Sequence, residues 1–248
     1  MSDKRLLFAK EGRAVYISHL DLVRTFQRAF ARAGISIRHA GKFNPHPVIS
    51  VAVPLSLGYS SCCELLDFGP EGGAAPEEIP ARLNAALPEG LTVLGLYEAV
   101  RPTKEIGRLI WELEFLYDGG TPAGVEDALN GLFARPELIM KKKSKKAKSG
   151  FTTVDLIPLM GPAEMTREPN ALRLTIPLAG QNPGLNPSLL QAAVGEYCPG
   201  FAPDFLRARR IDILDTKGAR FDGKERDLVT KRNISPDCSQ NSQILGSC

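Results

Sequence analysis

The chain of 248 residues is 43% hydrophobic and 24% charged, a make-up that suits a globular protein of one large domain or two small ones. No apolar run approaches the ~20 residues of a membrane span, and MSDKRLLFAKEG lacks the apolar stretch of a signal peptide, so a cytoplasmic location is expected. The net charge of +3 demands no nucleic-acid partner by itself, which leaves the placement of charge as the informative feature.

RLLFAKEGRAVYIS (5–18) predicts a strand, a glycine turn and a second short strand. SHLDLVRTFQRAFARAG (18–34) predicts a helix. Ser18 and Asp21 fit a capping box, Gly34 a stop, and Leu22, Phe26, Ala29 and Ala33 an apolar stripe. Arg24, Arg28 and Arg32 recur every fourth residue on another face. ISIRHA, VISVAVPLSLG and CCELLDF read as strands, the proline of the second marking an edge or an ending. APEEIPARLNAAL reads as a helix with an acidic first turn, and LTVLGLYEAV as a strand. The order β-α-β-β-α-β matches a ferredoxin-like sandwich.

RPTKEIG (101–107) marks a joint, after which a similar order begins. RLIWELEFLYDG alternates as a strand, and TPAGVEDALNGLFARP predicts a helix with Pro122 near its start. ELIMKKK and FTTVDLIPLM flank KKKSKKAKS (141–149) like two arms of a hairpin, with six lysines in eight positions. ALRLTIPLAG predicts a strand, NPSLLQAAVG a helix opened by Asn186 and Pro187, and FLRARRIDIL a last strand. The expected architecture is α+β: two tandem ferredoxin-like (βαββαβ) antiparallel sandwiches, residues 1–100 and 101–220, the second with an extra lysine-rich hairpin. From about Phe221 periodicity and hydrophobicity fade, predicting a disordered tail over 221–248.

The five cysteines show no CxxC or CxxxCxxC spacing, so neither a zinc nor an iron–sulfur site is expected. Cys62 and Cys63 are adjacent, and on a regular strand they would point to opposite faces. All three histidines, His19, His39 and His46, lie in the first fifty residues without HxH or HxxxH spacing, so no metal is assigned. His19 falls in the first helical turn, where the dipole disfavours a protonated ring; it is either a base or a solvated residue of a capping box. In FNPHP, Pro45 and Pro47 push Asn44 and His46 into extended geometry. The segment then serves as a rigid turn or presents both side chains to a ligand at little entropic cost.

Lys141, Lys142, Lys143, Lys145 and Lys146, with Arg24, Arg28 and Arg32, are candidates for phosphate contacts. The competing reading is a solvated loop that guards a sheet edge. No RNP-type aromatic motif, phosphate-binding glycine loop or G-x-S-x-G elbow occurs, and no cofactor is expected.

YISHLDLVRTFQRAFARAGI followed by FNPHPVISVAVPLSLG resembles the radical-SAM-linked protein family, a bacterial domain of unknown function found fused to or beside an uncharacterised radical SAM protein. The resemblance continues through KKKSKKAKSGFTTVDLIPLM to NPSLLQAAV and RARRIDIL, over about residues 4–215. Family members usually read Gly immediately before the Phe of FNPHP. Here Lys42 stands there and Gly41 one place earlier, so a turn with positive φ would move by one residue.

The resemblance implies an accessory role, because the chain lacks the three-cysteine cluster motif. The leading expectation is a non-catalytic RNA-binding or substrate-handling adaptor with a radical SAM partner, acting in RNA or ribosome modification. Arg24, Arg28, Arg32, Asn44, His46 and the lysine run would form its contact surface. One alternative, from a similar element order in CRISPR RNA-processing endonucleases, is a metal-independent endoribonuclease using His19 and His46. The other is a protein-docking module built on the VISVAVPLSLG edge or the first helix.

Overall fold

The computed structural model describes residues 3–43, 45–72, 74–143 and 150–221, among which four α-helices accompany a mixed sheet of eight strands. In the first half, β1 (Lys4–Lys10) leads to α1 (His19–Arg32), which begins and ends where its caps require. Asp21 N–H donates to Ser18 Oγ at 3.1 Å, and the chain turns away at Gly34 with φ +63°. A small ribbon of β2 (His39–Ala40) and β3 (His46–Pro47) follows, then β4 (Ile49–Ala52), β5 (Ser60–Phe68), α2 (Ile79–Ala86) and β6 (Leu91–Glu98). The larger strands lie antiparallel in the order β4-β5-β1-β6.

The second half contains β7 (Ile106–Leu116), α3 (Val125–Phe133), the ribbon of β8 (Ile139–Lys143) and β9 (Phe151–Asp155), β10 (Glu164–Glu168), β11 (Ala171–Ala179), α4 (Pro187–Tyr197) and β12 (Phe205–Asp215). Its sheet order is β10-β11-β7-β12, again antiparallel.

The halves do not keep separate sheets. β12 runs parallel to β5, with Arg209 opposite Ser60 and Arg210 opposite Ser61, and this two-residue joint makes one sheet. β5 consequently carries a layer on each face. Cys63 and Leu65 enter the larger core with α3 and α4, while Leu66 and Phe68 enter the smaller core under α1 and α2. Burial on both faces explains the nearly unbroken apolar run of CCELLDF.

Several local expectations change. Gly12–Tyr16 forms a 3-10 turn where a second short strand was expected: Gly12 takes φ +53°, and Lys10 Nζ donates to the carbonyls of Val15 (3.3 Å) and Ile17 (3.1 Å), folding the segment back over β1. ISIRHA is strand only at His39–Ala40, since Ile35 and Ile37 are drawn into the smaller core. Helix α3 starts after Gly124, at φ +81°, so Pro122 lies outside it. β10 has no expected counterpart, because EMTRE is polar at nearly every position of an edge strand. Phe221, placed at the start of the expected tail, is buried with its ring 5.3 Å from the Arg5 guanidinium and 4.9 Å from that of Arg101. Residues 222–248 lie outside the described residues. Among the described residues no helix is long and apolar enough to cross a membrane.

Candidate functional site

Helix α1 turns its arginine row outward, since Leu22, Phe26, Ala29 and Phe30 occupy the opposite, buried face. Arg24 bonds to Asp21 at 3.5 Å, Arg28 is exposed, and Arg32 donates to the Ala86 carbonyl at 2.7 Å, capping the C-terminus of α2. His19 is exposed at the first position of α1. His46 is exposed in β3, opposite Ala40. Gln27 Nε2 donates to the Pro47 carbonyl at 3.5 Å, which lays the proline-braced segment along one flank of α1, while Arg32 reaches α2 on the other. Gly41 has φ +98°, so the turn before FNPHP sits one residue ahead of Lys42. Asn44 lies outside the described residues, as do Lys145 and Lys146.

The lysine-rich hairpin stands apart from the main sheet as the β8–β9 ribbon, with Lys141 opposite Thr153, Lys142 opposite Thr152 and Lys143 opposite Phe151. Its root is fixed. Asp155 Oδ1 accepts the N–H groups of Leu138 (2.9 Å) and Ile157 (3.1 Å), Tyr197 donates to the Ile139 carbonyl at 2.9 Å, and Met140 is buried. Asp155 of the VDL stretch is thus a turn cap. Towards the tip the ribbon opens to solvent: Lys141 and Lys142 are exposed, Phe151 is 51% exposed, and Lys141, Phe151, Thr152 and Thr153 line an open hollow of about 710 Å³. Lys142 Nζ leans to the Gly184 carbonyl at 3.5 Å.

A second constellation, which sequence reasoning missed, lies at the β5–β12 joint. Lys10, Glu64 and Arg210 are all buried. Arg210 Nη1 donates to Glu64 Oε1 and to the Val53 carbonyl, both at 2.9 Å, and its guanidinium lies 5.0 Å from the Trp111 ring. Val53 carries φ +42°, a conformation a β-branched residue seldom adopts, and its carbonyl is held by that buried cation. Burial pushes the Glu64 carboxyl up against the opposing pull of Arg210, and burial lowers the Lys10 ammonium against the pull of Glu64. Glu64 Oε2, Arg210 Nε and Trp111 Nε1 are buried without a protein hydrogen-bond partner among the described residues.

The cysteines also depart from the sequence reading. The β1–β5 register shifts between Phe8, opposite Glu64, and Lys10, opposite Ser61. With the strand irregular, the Cys62 and Cys63 thiols do not diverge: each donates to the Arg210 carbonyl at 3.7 Å. Burial pushes the Cys63 thiol well up, which suppresses the nucleophilic thiolate. Among the described residues no group of three or more His, Cys, Asp or Glu could hold a metal ion.

The stretches that carry the sequence resemblance meet around this joint. Gly58 N–H donates to the Val15 carbonyl at 2.9 Å, Tyr59 donates to Asn186 Oδ1 at 3.1 Å, and Asn186 Nδ2 donates to Ser56 Oγ at 2.7 Å. The one sequence signal for the buried trio is a charge inside an apolar run, Glu64 in CCELLDF and Arg210 ahead of IDIL. In chemical terms the joint fastens the two half-sheets, whereas the ribbon presents cations, hydroxyls and an aromatic ring to solvent.

No curated protein matches the chain. A solved structure, an unknown protein from Galdieria sulphuraria, is similar at 14% identity over 84% of this chain and 98% of that one. Its TM-score of 0.25 supports no argument about fold or function. Residues 4–187 match the family described as uncharacterized protein conserved in bacteria, DUF2344. A match over most of its length places the chain in that bacterial family, to which it belongs.

Proposed function

We propose that the protein is a non-catalytic RNA-binding adaptor whose contact element is the β8–β9 ribbon. The observation that carries this reading is the pair of exposed lysines, Lys141 and Lys142, on a ribbon outside the main sheet and beside the half-exposed ring of Phe151. Neither lysine enters an ion pair among the described residues. The arginines of RARR, by contrast, are already neutralised: Arg207 by Glu114 at 2.6 Å, Arg209 by Glu11 at 3.0 Å, and Arg210 by Glu64 at 2.9 Å. Cations without an internal carboxylate are the ones that release counterions on meeting phosphates. The exposed Arg28 on α1 extends the same chemistry.

The radical SAM partner belongs to this proposal on the strength of the sequence motifs alone, as does a cytoplasmic place of work. Co-purification of such a protein that survives nuclease treatment supports the partnership; its loss with nuclease removes it. The strand orders β4-β5-β1-β6 and β10-β11-β7-β12 each set the first strand of a half between its third and fourth, which supports reading the halves as tandem ferredoxin-like units.

Titration of the full chain with transfer RNA and ribosomal RNA fragments at several salt concentrations tests the RNA reading. Affinity is expected to fall as salt rises, and the Lys141→Gln/Lys142→Gln double variant to bind more weakly with a log–log slope shallower by about 1.4, from ~0.7 per phosphate contact on a single strand. Binding that ignores salt, or no binding at all, overturns the proposal.

A further inference from the structure

We infer that Cys62 and Cys63 form a thiol modification site, at which a hydroperoxide closes the pair into a reversible disulfide. This reading is independent of the RNA proposal. The β-ladders step over the two residues: β1 pairs with β5 at Ser61 and then at Glu64–Phe68, β12 at Ser60 and Ser61, and β4 at Leu65–Phe68. Cys63 N–H donates instead to Ser61 Oγ at 3.1 Å, within its own strand. A dipeptide outside the ladders can twist without breaking cross-strand pairs. Both thiols also converge on one acceptor, the Arg210 carbonyl, each at 3.7 Å, and the Cys62 thiol contacts that of Cys63.

The two sulfurs are unlike. Cys62 is half-buried and within charge range of the Arg209 guanidinium, a cation it shares with Glu11 and Glu112. Cys63 is buried, and burial followed by the Cys62 contact pushes its thiol well up. The accessible sulfur beside a cation is the one that attacks, and the buried thiol next to it is the one that resolves. The Cys62 sulfur displaces one oxygen of the hydroperoxide ROOH, giving the Cys62 sulfenic acid and ROH. The Cys63 sulfur then attacks the Cys62 sulfur, and the hydroxyl leaves with the Cys63 proton as water. Two electrons pass from the sulfurs to the O–O bond. Cα atoms across one trans peptide are ~3.8 Å apart, short of the ~4.4–6.8 Å of ordinary disulfides. The closed ring is therefore strained, and a small thiol reopens it by exchange.

In the test, the reduced full chain is treated with hydrogen peroxide, blocked with N-ethylmaleimide and digested with trypsin for mass spectrometry. The peptide Phe43–Arg82 holds Cys62 and Cys63 and none of the other three cysteines. It is expected unblocked and lighter by two hydrogens, and it should take up two maleimides when dithiothreitol precedes the blocking. Cys63→Ser is expected to accumulate a Cys62 sulfenic acid that dimedone traps, whereas Cys62→Ser should leave Cys63 unoxidised. The wild-type peptide decides the matter even if a variant fails to fold. Two maleimides on it after peroxide, oxidation that stops at the sulfenic acid, or disulfides formed only to Cys198, Cys238 or Cys248 overturn the inference. Closure that occurs only once the chain is unfolded in urea overturns it as well.

Discussion

Glu64 is removed from solvent beside Arg210, with Lys10 close enough for its charge to be felt, and that trio decides how the two half-sheets meet. Desolvating both partners is costly, and the pair is stable only while each compensates the other. Arg210→Met should therefore strand a buried carboxylate and lower stability by about 3–5 kcal/mol, measured by urea unfolding. Adding Glu64→Leu should restore most of the loss, because an apolar pair of similar volume needs no compensation. A single variant that loses less than ~1 kcal/mol, within the ordinary range of surface substitutions, would mean that the joint does not depend on this ion pair.

At the scale of elements, the end of β12 is tied to the joint between the halves through Asp215. Its Oδ1 accepts the N–H groups of Lys217 (2.8 Å) and Ala219 (2.9 Å), and its Oδ2 accepts from Arg101 Nη2 at 2.6 Å. The Arg101 hydrogen bond holds this carboxyl below the usual aspartate value. The stabilisation is thus fully present above the unfolded-state value of ~3.9 and is lost as pH falls through the depressed folded value. Melting curves taken from neutral to acid pH should show Asp215→Asn less stable than wild type at neutrality, with the gap closing below about pH 4. A gap that is constant with pH would dissociate the Arg101 contact from the carboxylate's charge. Elements with local signals were legible in the sequence. Ser18 and Gly34 frame α1, Asn186 and Pro187 open α4 with Ser188 N–H donating to Asn186 Oδ1 at 2.9 Å, and the lysine run is flanked by two paired strands. The parallel contact of Ser60 with Arg209 was not, since nothing near either residue encodes a partner so far along the chain. Lys10, Glu64 and Arg210 escaped for the same reason: the burial of each charge depends on distant partners. The register shift that brings Cys62 and Cys63 to one carbonyl likewise leaves no local mark.

Over the whole molecule, one sheet carries α1 and α2 against its smaller core and α3 and α4 against its larger one, and most arginine charge is tied to carboxylates or helix ends. The Arg173–Glu114–Arg207 ladder, for example, crosses β11, β7 and β12, and Glu168 of β10 pairs with Arg173 as well, so that two carboxylates balance the two cations. A polyanion spread across that stripe would have to displace existing ion pairs, whereas at the ribbon it would meet Lys141 and Lys142, which have none among the described residues. The candidate site therefore lies on a ribbon outside the main sheet, rooted in the larger core by Met140 and Val154, which the sequence marked by composition but could not aim. Ultraviolet crosslinking of the full chain to RNA in cells, followed by mass spectrometry of the RNA-linked peptides, tests this most directly. Adducts are expected on peptides spanning Ile139–Asp155; recovery of RNA only on peptides from α1 or from the Arg173–Arg207 stripe, or of no RNA at all, would contradict it.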